Sequence, residues 1–141
     1  AVQDRIVDGI PLKEGVADLV ETFASAGLPL AIATSSRRES VDRHLVSHRL
    51  FDAFHTIITQ EDVTRTKPDP EPYLIATDRI SANPARSLAI EDSANGVRSA
   101  LAAGMIVVAI PDIAQLPDDL MDQCRHVLEA LPDLGRLLVL E

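Results

Sequence analysis

The chain has 141 residues, 46% of them hydrophobic, a length that suits one domain and is short for a core with a separate lid. No run approaches the roughly 18 apolar residues of a membrane span, and a net charge of -9 with a pI near 4.8 disfavours nucleic acid and anionic membranes, which reward basic surfaces. The single cysteine, Cys124, excludes an internal disulfide and any zinc cluster built on several thiolates, and reads as a partly buried thiol. Residues 1–15 are charged and lack the apolar stretch of a signal peptide, so the cytoplasm is the expected location.

In chain order, Val16, Leu19, Val20 and Phe23 recur at helical spacing, and Gly27 stands where a C-terminal cap would end that helix before Pro29. Residues 28–33 are a nearly continuous apolar run, as in a strand buried on both faces of a parallel sheet. Thr34-Ser35-Ser36 follows, and Ser36 with Glu39 has capping-box spacing, so a helix is expected from there, burying Val41, Leu45 and Val46. Residues 54–59 read as the next strand. Asp69 and Pro70 then look like the N-cap and first position of a helix carrying Tyr73, Leu74 and Ile80. A third strand is expected over 87–90, a helix over 96–103 ended by Gly104, and a fourth strand over 105–110 stopped by Pro111. Residues 116–123 suggest a short helix and 126–128 a short edge strand; the tail is ambiguous. Strands alternating with helices predict a single α/β domain over 1–141, a Rossmann-like, doubly wound parallel sheet.

In such sheets ligands sit beyond the carboxyl ends of the strands, so the exit loops are where chemistry belongs. The first exit offers Thr34, Ser35 and Ser36 beside the amides of a helix start, suited to a phosphoryl oxygen although hydroxyls there are commonly only caps. The second carries Lys67 in Thr66-Lys67-Pro68-Asp69-Pro70, where two prolines limit how far the ammonium can wander. A fixed lysine can neutralise a phosphoryl group and the carboxylate that attacks it. The third is Ile90-Glu91-Asp92-Ser93-Ala94-Asn95-Gly96. Two acids at the end of an apolar strand are costly unless paired or metal-bound, and Mg²⁺ selects hard oxygen ligands; the structural alternative is that Asp92 or Ser93 caps the next helix. His44, His48, His55 and His126 show no ligand spacing.

Taken together, residues 31–36, 67–70 and 90–96 resemble the second, third and fourth motifs of the haloacid dehalogenase (HAD) superfamily, in the branch of β-phosphoglucomutase and phosphoglycolate phosphatase. The resemblance runs from about residue 11 to about 131. It implies that Thr34 hydrogen-bonds the transferring phosphoryl group with Ser35 and Ser36 nearby, that Lys67 bridges nucleophile and phosphoryl group, and that Asp92 binds Mg²⁺ directly while Glu91 ligates or supports the metal site. A small phosphorylated metabolite is the implied substrate, in a phosphatase or phosphomutase reaction.

Members of this family begin with an apolar strand ending in Asp-x-Asp, the first Asp being the nucleophile and the second the general acid and base. No Asp-x-Asp occurs in these 141 residues. Asp8, after Ile6-Val7, lacks the second acid, and residues 1–11 read as a linker returning from a lid. The resemblance places the missing strand centrally, between the strands ending at Ala33 and Ile90, so the core is expected to be incomplete there and the Mg²⁺ site with it. A longer parent chain, a partner copy forming a dimer, or the apolar tail at 137–140 could fill the slot. The isolated chain is expected to be inactive, and a non-catalytic truncated relative with residual Mg²⁺ or phosphate binding is the alternative.

Overall fold

The structure is a computed structural model describing residues 16–47, 51–110 and 116–128. The linker at 1–11, Asp8, His48, the tail at 137–140 and the side chains of Leu45, Val46 and His44 lie outside the described residues.

Helix α1 (Val16–Ser25) sets Leu19 and Val20 against the core and ends as its glycine requires. Gly27 adopts φ +78, and the amides of Gly27 and Leu28 turn back to the carbonyls of Ala24 and Phe23 at 3.0 and 3.1 Å. Strand β1 (Ala31–Ala33) is shorter than the apolar run predicts. Pro29 has no N–H to give a ladder, and the amide of Leu30 goes to the ring of His55 instead. Helix α2 (Arg38–Ser47) leads to strand β2 (Thr56–Ile58), which pairs parallel with β1, Ile32 opposite Ile57.

Helix α3 (Glu71–Arg79) precedes strand β3 (Leu88–Glu91), and helix α4 (Ala94–Ala102) precedes strand β4 (Ile106–Ala109). Helix α5 (Asp118–Gln123) and strand β5 (His126–Val127) complete the described elements. Strands β3, β4 and β5 form a second parallel sheet in that order. Among the described residues no helix is long and apolar enough to cross a membrane.

The strands alternate their side chains between two cores. Ile32 and Ile57 join Val41, Val108 and Ile110 on one face. Ala33 and Ile58 join Tyr73, Ala76, Ala89, Val97 and Val107 on the other. Each cluster draws on both sheets, so the strands form one layer covered by helices on both faces, the doubly wound α/β arrangement that the alternation of elements predicts. Between the facing edges of β1 and β3 lies a cavity of about 490 Å³, walled by Ala31, Ile32 and Ala33 on one side and Leu88, Ala89 and Ile90 on the other. Tyr73, Ala76 and Ile80 of α3 line it from one helical layer, Leu19 and Val20 of α1 from the other. This is where the resemblance calls for a further central strand.

Candidate functional site

Thr34, directly after β1, is 2% exposed, and its hydroxyl accepts the amide of Ser36 at 3.1 Å, folding the turn on itself. Ser35 is exposed and Ser36 half-buried. The helix beyond does not begin with the Ser36 and Glu39 capping box that their spacing suggests. It begins at Arg38, whose amide is taken by the carboxylate of Glu61 at 3.0 Å. Glu61 comes from the 3₁₀ turn Gln60–Asp62 after β2, which also sends the Gln60 amide to the Ser36 carbonyl at 2.9 Å and holds Arg38 through Asp62 at 3.2 Å. The Arg38 amide holds the Glu61 carboxyl below the usual glutamate range. The Arg38 amide at this exit therefore already faces a carboxylate.

The Lys67 loop is tied down at both ends. The exposed carboxylate of Glu71, on the first turn of α3, accepts the amides of Thr64 and Arg65 at 3.0 and 2.5 Å. These bonds, that from Thr64 foremost, hold its pKa below the ordinary value. Asp69 accepts the Glu71 amide at 2.9 Å while its carbonyl receives the Ser99 hydroxyl at 2.6 Å. Pro70 stands at the N-cap, one residue later than the spacing implies, and Asp69 caps from outside it. The stiffening expected of Pro68 and Pro70 is thus reinforced by two carboxylates and a hydroxyl of α4.

Lys67 is 8% exposed, and its ammonium meets Glu91 Oε2 at 2.8 Å, with side-chain exposures of 3% and 0%. The Tyr73 hydroxyl donates to the same oxygen, and the ammonium lies 5.3 Å from the centre of the Tyr73 ring, within cation–π range. Glu91 ends β3, and its carboxylate packs onto the backbone of Gly96 so closely that a Cβ there would collide with it. The carboxylate thereby sits at the first turn of α4, where the helix dipole favours negative charge. Ser93 is the cap of that helix, its hydroxyl accepting the Gly96 amide at 3.1 Å. The helix starts at Ala94, two residues before the expected start, and Asp92 is half-buried beside the cap.

Lys67 and Glu91 are therefore in contact, and Thr34 and the Glu91-Asp92 pair each stand at the carboxyl end of their strand. The chemistry of Glu91 is sharper than the sequence indicates: it is the counter-ion of Lys67 before it is anything else. Asp92 and Glu91 have the oxygen donors that Mg²⁺ prefers, yet among the described residues no group of three or more His, Cys, Asp or Glu could hold a metal ion. The contacts made by Tyr73, Glu61, Glu71 and Ser99 escape the sequence reading. Tyr73 had a usable signal, because a phenol on the buried face of a helix must find a polar partner.

The sequence profile of the haloacid dehalogenase-like hydrolases matches residues 1–110. Protein CbbY of Cupriavidus necator is 37% identical over 130 residues, spanning 90% of this chain and 50% of that protein. The bifunctional riboflavin kinase/FMN phosphatase of Arabidopsis thaliana is 30% identical over 129 residues, 91% of this chain and 34% of that one. The crystal structure of CbbY from Rhodobacter sphaeroides in complex with phosphate superposes with a TM-score of 0.77 at 28% identity, covering 94% of this chain and 60% of that one. The chain thus spans 50% to 60% of the length of the CbbY proteins it matches.

Proposed function

The chain belongs to the haloacid dehalogenase-like hydrolase family, and from that premise we propose that it is the core of a Mg²⁺-dependent phosphohydrolase, a phosphatase or phosphomutase, acting on a small phosphorylated metabolite. The observation that carries the reading is the buried Lys67 to Glu91 pair at 2.8 Å, set at the carboxyl ends of parallel strands. An isolated buried ion pair is seldom a gain in stability over apolar packing, so a lysine held there is better accounted for by an anion it serves. The phosphate carried by the related CbbY structure supports the same class of ligand.

In this reading Thr34 and the Ser35 and Ser36 amides or hydroxyls hold the phosphoryl oxygens, and Lys67 offsets their charge as a nucleophile approaches. Asp92 would bind Mg²⁺ directly, and Glu91 would ligate the ion or support its site by fixing Lys67. The ion, when bound, supplies further charge neutralisation at the phosphoryl group. The carboxylates that would complete its shell and attack phosphorus come, in this proposal, from a strand ending in Asp-x-Asp and seated between β1 and β3, provided by a longer parent chain or by a partner.

Turnover of a generic phosphomonoester such as p-nitrophenyl phosphate tests the proposal. The 141-residue chain alone is expected to be inactive, and the same chain preceded by an apolar strand ending in Asp-x-Asp is expected to hydrolyse the ester only with Mg²⁺. Asp92→Asn should then abolish the activity. Hydrolysis by the unextended chain, or activity indifferent to Mg²⁺ and to Asp92→Asn, would contradict the proposal.

A further inference from the structure

Tyr73 joins two features that otherwise stand apart. The residue is 6% exposed and lines the cavity between β1 and β3, while its hydroxyl reaches the Lys67 to Glu91 pair. Hydroxyl and Lys67 ammonium donate to the same oxygen, Glu91 Oε2, and Oε1 occupies the place a Cβ on Gly96 would take. Two donors on one oxygen and a wall against the other leave the carboxylate little freedom to rotate. The ring also presents its face to the ammonium at 5.3 Å.

We propose that Tyr73 is a positioning residue of the phosphate site, its hydroxyl fixing Glu91 so that Lys67 is aimed at the incoming anion. The proposal rests on the phosphate-site reading above and adds to it a residue that touches neither phosphate nor metal. A phenol that merely fills the core and satisfies its own hydroxyl would be replaceable by phenylalanine with no effect on anion binding. A phenol that sets the angle of Glu91 would not.

The chain has one tyrosine and no tryptophan, so its aromatic emission reports on Tyr73 alone. A phenol hydrogen-bonded to a carboxylate is quenched by excited-state proton transfer, and release of that bond raises the emission. Inorganic phosphate in Mg²⁺ buffer is titrated into the unaltered chain, into Tyr73→Phe and into Leu74→Ala, a change at an exposed neighbour on the same helix. Binding is read by calorimetry, folding by circular dichroism and thermal midpoint. Tyr73→Phe is expected to bind phosphate about tenfold more weakly with its fold intact, and Leu74→Ala to bind as the unaltered chain does. Glu91→Gln should raise the tyrosine emission, and saturation of the unaltered chain with phosphate should change it.

Equal phosphate affinity in Tyr73→Phe and the unaltered chain would overturn the proposal while leaving the phosphate site standing. Absence of phosphate binding by the unaltered chain would overturn the site and, with it, the tyrosine's part. Should Tyr73→Phe fail to fold, the emission decides: a signal indifferent to both phosphate and Glu91→Gln excludes the positioning role, and a response to both supports it.

Discussion

Glu91 has no exposed side-chain surface, and a carboxylate in that position is tolerable only while its partners hold it. Removing Lys67 leaves the acid uncompensated, so Lys67→Met is expected to lower unfolding free energy by about 3 to 5 kcal/mol. Converting both partners, as Lys67→Met with Glu91→Gln, should recover most of that loss, because no buried charge then remains unmatched. Urea denaturation of the two single variants and the double variant closes the cycle; strictly additive losses would show that the pair is not coupled. Gly96 offers a reversal of sign. Glycine to alanine within a helix ordinarily stabilises by about 0.5 to 1 kcal/mol, but at Gly96 the new methyl would meet the Glu91 carboxylate. Gly96→Ala is expected to destabilise by about 1 to 3 kcal/mol, the range of overpacking, and a stabilised variant would refute the contact.

At the scale of elements, the site is held by loops that clasp one another. Glu71 gathers two amides of the Lys67 loop from the first turn of α3, and its depressed pKa makes the clasp dependent on pH. A group whose folded pKa lies below its unfolded value contributes stability that is complete above the unfolded value and disappears as pH falls through the folded one. The gap in thermal midpoint between the unaltered chain and Glu71→Gln should therefore be widest at neutral pH and close as pH falls below the ordinary glutamate value of 4.5. A gap that stays constant down to pH 3 would dismiss the clasp. These elements also show what sequence can reveal. Gly27 and Gly104 announce their helix ends because a positive φ needs glycine, and the apolar runs announce buried parallel strands because both faces are covered. The cap of α2 is invisible along the chain, since Glu61 lies 23 residues from Arg38 and only the parallel pairing of β1 with β2 brings it there. The capping box at Ser36 fails for a local reason as well: the Thr34 hydroxyl accepts the Ser36 amide that Glu39 would take.

For the whole molecule, the decisive feature is a layer of parallel strands divided into two sheets with an apolar cavity between them. Thr34, Glu91 and Asp92 stand at strand ends where the apolar runs predict those ends, and Lys67 lies in the loop leading from β2 to α3. The Tyr73 contact was not legible, because helical periodicity marks a residue as core without saying which atom its polar end will meet. In the proposed site Thr34, Ser35, Ser36 and Lys67 surround one anion. Nuclear magnetic resonance of the isotopically labelled chain, titrated with inorganic phosphate in the presence of Mg²⁺, tests this residue by residue. Saturable shifts concentrated at the amides of Thr34, Ser35, Ser36 and the Lys67 loop are the result expected; shifts centred elsewhere, or none at saturating phosphate, would contradict it.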